Sequence, residues 1–301
     1  GILRDAWKNW TQQDSFLSEE FEAFRAERGE MLRLHALFEA ISAEMVERGY
    51  GAEWTSWPDD FQSPETRTVQ YFASTNGDDV AFHEWLQWLA DRQLKDAADR
   101  ARAAGMRIGL YLDMAVGEAP GGSATWSRPQ DYIQDATIGA PPDYFNADGQ
   151  DWGLAPFSPS ALVERNLKPW REAMDRVLRS SGALRIDHAM SLYRLFWIAR
   201  GFTAGDGAYV RYPFADLVRT VSAVSGARHA IVIGEDLGIV PDGFRHAMHQ
   251  ADIQSYRVLF FEKRDDFFLP PSAYPREALA CVTTHDTQTF AGWWSGHDLV
   301  T

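Results

Sequence analysis

Cysteine is almost missing from these 301 residues: Cys281 stands alone, so no disulfide forms within the chain and a reducing compartment suits it. It sits in an apolar, strand-like run, which makes it a buried, inert thiol rather than a nucleophile. No apolar run approaches the roughly 20 residues that a membrane-spanning helix needs. The first residues carry Arg4, Asp5 and Lys8 among tryptophans, without the apolar stretch of a secretory signal. A cytoplasmic location is therefore expected. Basic charge is short as well, with 29 Lys and Arg against 43 Asp and Glu and a net charge of -14. Such a surface repels nucleic acid and anionic membranes, and neither is expected as a partner. A neutral polymer meets no such repulsion. Gly-rich phosphate loops are missing after the apolar runs, which weakens a nucleotide-binding reading.

Apolar material is plentiful at 45% of residues, and aromatics reach 13%, with 12 Trp. Indole faces suit sugar rings, although large cores and aromatic helix faces account for most such tryptophans equally well. The first hundred residues have helical spacing. Leu34, Leu37, Phe38, Ile41 and Met45 recur at three- and four-residue steps up to a stop at Gly49, with Gly29 dividing the stretch. Residues 50–68 read as a loop. Phe82, Trp85, Leu86 and Leu89 then form one stripe, extended by Ala97, Ala98 and Ala101 and ended by Gly105.

From Arg107 onward strands alternate with helices. Four apolar runs end in an acid: Arg107–Asp113, Ala183–Asp187, Ala230–Asp236 and Ala280–Asp286. A fifth run, Tyr256–Phe261, lies between the last two. A helix begins near Pro169, whose missing N–H suits a first turn, and others carry Leu217, Val221 and Val224 or follow Pro241. Alternation of this kind implies a parallel sheet with helical crossovers. Acids at several successive strand ends suit a (β/α)8 TIM-type barrel, at roughly 31 residues per unit, better than an open sheet with one switch point. Only five strands are readable, so the expected barrel is incomplete at both ends. The expected domains are a helical subdomain over 1–68 and a partial barrel over 69–301, with a long Gly/Pro-rich active-site loop over 115–159.

Retaining glycoside chemistry requires two carboxyl groups about 5–5.5 Å apart, one a nucleophile and one an acid/base. Asp187 and Glu235 are the natural pair. Arg185, two residues before Asp187 and so on the same strand face, can keep that aspartate ionised. Glu235 must carry a raised pKa if it begins the cycle protonated; Asp236 beside it helps or is structural. Asp286, next to His285, can hydrogen-bond sugar hydroxyls and favour an oxocarbenium-like transition state. A salt-bridge network at the barrel mouth would explain any one of these acids, but explains four placed alike poorly. A divalent-metal barrel for enolate chemistry wants a Lys or His base; no strand end offers lysine, while His188 and His285 keep the option open. Zinc is disfavoured, since neither Asp-His pair has the i, i+4 His spacing of helical zinc motifs.

Around these acids the sequence resembles the 4-α-glucanotransferases (amylomaltase, or disproportionating enzyme) of glycoside hydrolase family seventy-seven, in the α-amylase clan. Gly139-Ala140-Pro141-Pro142-Asp143, Gly149-Gln150-Asp151-Trp152-Gly153 and Leu184-Arg185-Ile186-Asp187-His188 carry the resemblance. Gly207-Ala208-Tyr209-Val210, Val232-Ile233-Gly234-Glu235-Asp236-Leu237-Gly238, Ser255-Tyr256-Arg257-Val258-Leu259 and Thr284-His285-Asp286 continue it. The resemblance implies Asp187 as nucleophile, Glu235 as acid/base and Asp286 as transition-state stabiliser. It implies that Asp113, Arg185 and His285 support the nucleophile or contact its sugar. His188, with Gln150 and Trp152 of a loop bordering the acceptor side, is expected to bind substrate. The implied substrate is a maltooligosaccharide or α-1,4-glucan, with no cofactor and no metal. A hydrolase or debranching transferase of the same clan, and a non-catalytic α-glucan-binding fragment, are the alternatives. Thr287-Gln288-Thr289 departs from the family's usual Leu-Pro-Thr, and Ile198-Ala199 from its Ile-Pro. The family's first strand, with a substrate-contacting tyrosine, and its last barrel unit have no counterpart.

Overall fold

The computed structural model describes residues 1–12, 16–144, 146–285 and 287–297. Two compact units emerge: Gly1–Ala103 with Gly117–Ala161 and Phe196–Ala208, and Ala104–Val116 with Leu162–Leu195 and Tyr209–Thr301. These limits differ from the 1–68 and 69–301 partition expected from sequence. The reason is packing: the helices α1 (Ile2–Thr11), α2 (Phe16–Glu47), α3 (Arg67–Thr75) and α4 (Gly77–Ala103) form one bundle in which α4 lies along α2.

The helical periodicities hold. Gly29 breaks α2 with φ 58° and ψ -140°, a conformation that costs glycine little. Leu37, Phe38, Ile41 and Met45 are buried with Trp57, Phe61 and Trp126 in one core. Trp7, Phe21, Phe82, Trp85 and Trp88 make a second. Six of the 12 tryptophans (Trp7, Trp57, Trp85, Trp88, Trp126 and Trp170) are buried, so core packing accounts for half of the indole content.

The strands in chain order are β1 (Tyr111–Met114), β2 (Ala136–Ala140), β3 (Gln150–Leu154), β4 (Ala183–Ile186), β5 (Arg194–Ala199), β6 (Ala208–Arg211), β7 (Ile231–Gly234), β8 (Ile253–Val258), β9 (Lys263–Arg264), β10 (Phe267–Phe268) and β11 (Ala278–Cys281). The second unit is organised by a five-stranded sheet in the order β1-β4-β7-β8-β11. Each neighbouring pair is parallel. Spatial order follows chain order without reversal, as in an arc of a barrel wall and unlike a doubly wound sheet. The α/β fold with parallel strands and helical crossovers is therefore the one expected. β4, at the second position, is buried along its whole length. The helix Lys168–Leu178, with Pro169 in its first turn, turns Trp170, Met174 and Leu178 inward; it packs on β1 and β4. The helix Phe214–Arg228 buries Leu217, Val221 and Val224.

Three sequence expectations need correction. Residues 115–159 are not a loop: they hold a short helix, Ser123–Ser127, and the hairpin β2–β3, which joins β5 and β6 in a four-stranded sheet of order β3-β2-β5-β6. The strand expected over 256–261 runs instead from Ile253 to Val258, followed by a 3-10 turn over Leu259–Phe261. There Phe260 leaves the sheet to pack on Trp293, ring centroids 5.0 Å apart. The last strand stops at Cys281 rather than running to Asp286. Past it, the Thr284 N–H donates to Thr287 Oγ1 at 2.9 Å, a side-chain bond that competes with ladder pairing.

Gly182 shows why the sheet tolerates little change at its base. Its N–H donates to the Leu110 carbonyl at 3.0 Å, and its own carbonyl accepts from the Ile231 N–H at 3.0 Å. A Cβ there would fall 1.8 Å from the Ile108 carbonyl oxygen. Gly226, exposed near the end of the helix Phe214–Arg228, has open space for 4 Å around the place a Cβ would take. Gly182→Ala should therefore destabilise by about 3 kcal/mol, while Gly226→Ala should stabilise by up to about 0.8 kcal/mol. Denaturant unfolding of the two variants checks the pair; equal effects would contradict the backbone contact.

Candidate active site

The second unit gathers its charged side chains where β1, β4 and β7 end. The register pairs Asp113 of β1 with Arg185 of β4, and Arg185 with Ile233 of β7. Ladder bonding continues past the strands: the Asp187 N–H donates to the Met114 carbonyl and the Glu235 N–H to the Ile186 carbonyl, both at 3.0 Å. Side chains two residues apart share a face of a strand. Asp187 therefore follows Arg185 on one face, and Glu235 follows Ile233 on that same face. Neighbouring strands lie about 4.8 Å apart, a spacing that brings consecutive strand-end carboxylates within reach of one small substrate atom.

Arg185 is the hub. Its side chain is 9% exposed, and Nη1 reaches both Asp113 oxygens, at 3.0 and 2.8 Å. Nη2 meets Asp187 Oδ1 at 2.7 Å. The guanidinium lies 5.8 Å from the centroid of the Tyr256 ring on β8, within cation–π range. Burial works against the Arg185 charge, but its bonds to Asp113 and the nearby Asp187 outweigh that and raise its pKa further. Tyr256 remains a neutral phenol: burial, and a hydrogen bond with Cys281, push its pKa up. Burial also pushes Tyr111 up to about 12.

Glu235 is 8% exposed. Oε2 accepts from the His188 N–H at 3.0 Å and Oε1 from the Leu237 N–H at 2.7 Å. Burial is the largest influence and raises its pKa; the Leu237 and His188 amides and the Arg185 charge pull the other way, and Asp187 adds to the rise. The net result is a carboxyl group that holds its proton to higher pH than an exposed glutamate. His188 adopts a left-handed backbone, φ 44°, which turns its N–H back toward Glu235. Burial lowers its imidazole to about 4, so the ring is neutral at pH 7.

Asp236, the next residue, has the opposite fate. It is fully buried yet richly partnered: the Ser255 hydroxyl at 2.6 Å, the Tyr256 N–H at 3.0 Å and Arg245 Nε at 2.6 Å all donate to it, with Arg257 Nη1 at 3.7 Å. Burial pushes its carboxyl up, but these donors and charges outweigh it and hold the pKa below the usual value. Asp236 thus ties the end of β7 to β8 and to the helix Phe244–Gln250.

Of the residues singled out from sequence, Asp113, Arg185, Asp187, His188 and Glu235 come together here. His285 lies in a turn after β11 and is exposed; Asp286 lies outside the described residues. Gln150 and Trp152 belong to β3 of the other unit, where Trp152 Nε1 donates to Gln150 Oε1 at 2.9 Å. Sequence reasoning missed Tyr256, Ser255 and Arg245. Among the described residues, no group of three His, Cys, Asp or Glu is placed to hold a metal ion, and no helix is long and apolar enough to cross a membrane.

Known proteins resemble this chain in sequence and fold. The sequence profile of the family described as 4-alpha-glucanotransferase matches residues 1–299. The 4-alpha-glucanotransferase of Haemophilus influenzae is 36% identical over 283 residues, covering 93% of this chain and 40% of the relative. That of Mycobacterium tuberculosis is 36% identical over 281 residues, covering 92% and 38%. Amylomaltase from Corynebacterium glutamicum superposes with a TM-score of 0.83 at 32% identity, over 99% of this chain and 40% of that one. Amylomaltase from Streptococcus agalactiae in complex with acarbose shares the fold, with a TM-score of 0.86 at 20% identity over 98% and 60%. The chain thus spans about two-fifths of the length of the two bacterial relatives.

The Asp236 network gives a stability prediction. A group whose folded pKa is depressed contributes stability above its unfolded pKa and loses it as pH falls through the folded one. Asp236→Asn should cost about 3 kcal/mol at pH 7. The gap to wild type should hold down to about pH 4 and narrow below it. Urea unfolding at a series of pH values measures this; a gap that widens in acid would refute the assignment.

Proposed function

The chain belongs to the 4-alpha-glucanotransferase family, and from that premise we propose that it carries the catalytic carboxylates of an α-1,4-glucan transferase working by double displacement. The single observation that bears most weight is the pairing of Asp187 and Glu235 on adjoining strand ends, with Arg185 on the aspartate and burial acting on the glutamate. Asp187 is the nucleophile: Arg185 Nη2 holds its Oδ1 at 2.7 Å at the strand end, and its carboxylate attacks the anomeric carbon. The bond from that carbon to the glycosidic oxygen breaks as the Glu235 proton passes to the oxygen. The glycosyl group is left bonded to Asp187, and Glu235 is left as a carboxylate. Glu235 then takes the proton from the 4-hydroxyl of an acceptor glucan, whose oxygen displaces Asp187 and restores both carboxyl groups.

Asp286 is assigned as the transition-state stabiliser. Asp113 and His285 support the nucleophile or the sugar bonded to it; His188, Gln150 and Trp152 contact substrate. Maltooligosaccharides are the proposed substrates, without cofactor or metal. The acarbose held by the Streptococcus agalactiae amylomaltase supports this substrate class. We also propose a cytoplasmic setting, which the single cysteine suits.

The test is incubation with maltotriose, resolving glucose and the longer oligosaccharides. Wild type should give both; glucose and maltose alone would mark a hydrolase, and inert protein that binds amylose would mark a binding fragment. Asp187→Asn and Glu235→Gln should each lower kcat/KM by about 10³-fold or more. Because the acid must be protonated and its pKa is raised, kcat/KM should fall as pH rises through that raised value, not through the ordinary glutamate range.

A further inference from the structure

We propose that Arg245 is a positioning residue for Glu235, acting through the single peptide group that joins Asp236 to Leu237. Arg245 Nη2 donates to the carbonyl of Asp236 at 2.8 Å, and the N–H on the other side of that same peptide bond, that of Leu237, donates to Glu235 Oε1 at 2.7 Å. A trans peptide is planar, with its carbonyl and N–H pointing in opposite directions. Fixing the carbonyl therefore fixes the line along which the amide meets the carboxyl group. Arg245 holds residue 236 at two points, because its Nε also bonds the buried Asp236 carboxylate at 2.6 Å. A planar fork can do this; a single ammonium cannot reproduce both bonds. A donor on the carbonyl also polarises the peptide and strengthens its N–H as a donor.

The inference rests on the reading of Glu235 as acid/base, which it deepens: Arg245 sets both the aim of that carboxyl group and its proton affinity. Other groups act on Glu235 as well. Arg185, Asp187 and the His188 amide face it from the end of β4, and Asp113 lies beyond Arg185. Asp236 is its chain neighbour, with Ser255, Tyr256 and Arg257 of β8 behind that carboxylate. Arg245 differs from all of these in that its grip is on the carbonyl of the 236–237 peptide. An amide N–H stabilises the carboxylate form, so loosening it raises the Glu235 pKa.

Arg245 is 47% exposed on a helix, so replacing it removes no apolar packing, and the buried Asp236 keeps Ser255, Tyr256 and Arg257 as partners. The experiment follows the carboxyl carbons of Glu235 and Asp187 by ¹³C NMR titration of the full chain, in wild type, Arg245→Gln and Arg245→Lys. Both variants should raise the Glu235 midpoint by about half to one pH unit and leave that of Asp187 in place. In maltotriose kinetics both should lower kcat about tenfold with KM within about twofold, and the alkaline limb of the profile should move up in parallel. An unmoved Glu235 midpoint in both variants overturns the proposal. So does a shift in Arg245→Gln alone, which would make Arg245 a distant charge and not a grip. Protein inert toward glucans in every form would sink the transferase reading, while the titration would still decide the positioning role.

Discussion

One buried guanidinium sets the terms for the rest. Arg185 cannot shed its charge in a protein interior, so its removal from water is tolerable only with anions placed to meet it. Asp113 and Asp187 supply them from a neighbouring strand and from its own strand end. That demand fixes register. A slip of β1 by one residue would turn Asp113 to the opposite face and leave the guanidinium half-partnered. The parallel ladder and the charge cluster therefore specify one another.

Burial then divides adjacent acids into different chemical species. Glu235 and Asp236 are consecutive and both inaccessible, yet their pKa values move in opposite directions. The difference lies in what surrounds each carboxylate. Asp236 has a hydroxyl, an amide and two guanidinium groups, enough to outweigh desolvation. Glu235 has two amides and a shared, distant arginine whose charge is largely spent on other carboxylates. Titratable groups pushed apart by environment are the usual arrangement of acid and nucleophile at a catalytic centre. Here the neighbour whose pKa is lowered is a fastening, and the one whose pKa is raised faces the Asp113–Arg185–Asp187 cluster.

Much of this was legible because apolar runs that stop at a charge are a strong signal. All five strands of the parallel sheet were readable from Leu112, Leu184, Val232, Tyr256 and Ala280 with their neighbours, and Asp113, Arg185, Asp187 and Glu235 stood out at the ends. The β2–β3 hairpin was not legible, since Gly139, Pro141, Pro142 and Gly149 read as loop residues. The run Leu195-Phe196-Trp197-Ile198 was the overlooked signal for its partner β5. The strand ends failed where side chains competed with the ladder, as Thr287 does at Thr284. The fastening of Asp236 was invisible for a different reason. Ser255 lies 19 residues away and Arg245 nine, and neither spacing carries a periodicity that marks contact before the crossover helix is folded.

The position of the acids follows from what a parallel sheet leaves unfinished. Inside the ladder each backbone N–H is committed to a neighbouring carbonyl; just past the strand ends some amides become free to meet side chains. His188 and Leu237 are such amides, and both are spent on Glu235. Asp187 and Glu235 themselves still make one ladder bond each through their N–H groups, so their backbones remain as rigid as the sheet while their side chains leave it. Chemistry that needs two carboxyl groups at a fixed spacing gains from that boundary, where the last ordered hydrogen bond sets position and the first unclaimed amide sets proton affinity. One residue deeper, a side chain would lie within the packed interior. Farther out, it would sit on a turn, as His285 does four residues beyond β11.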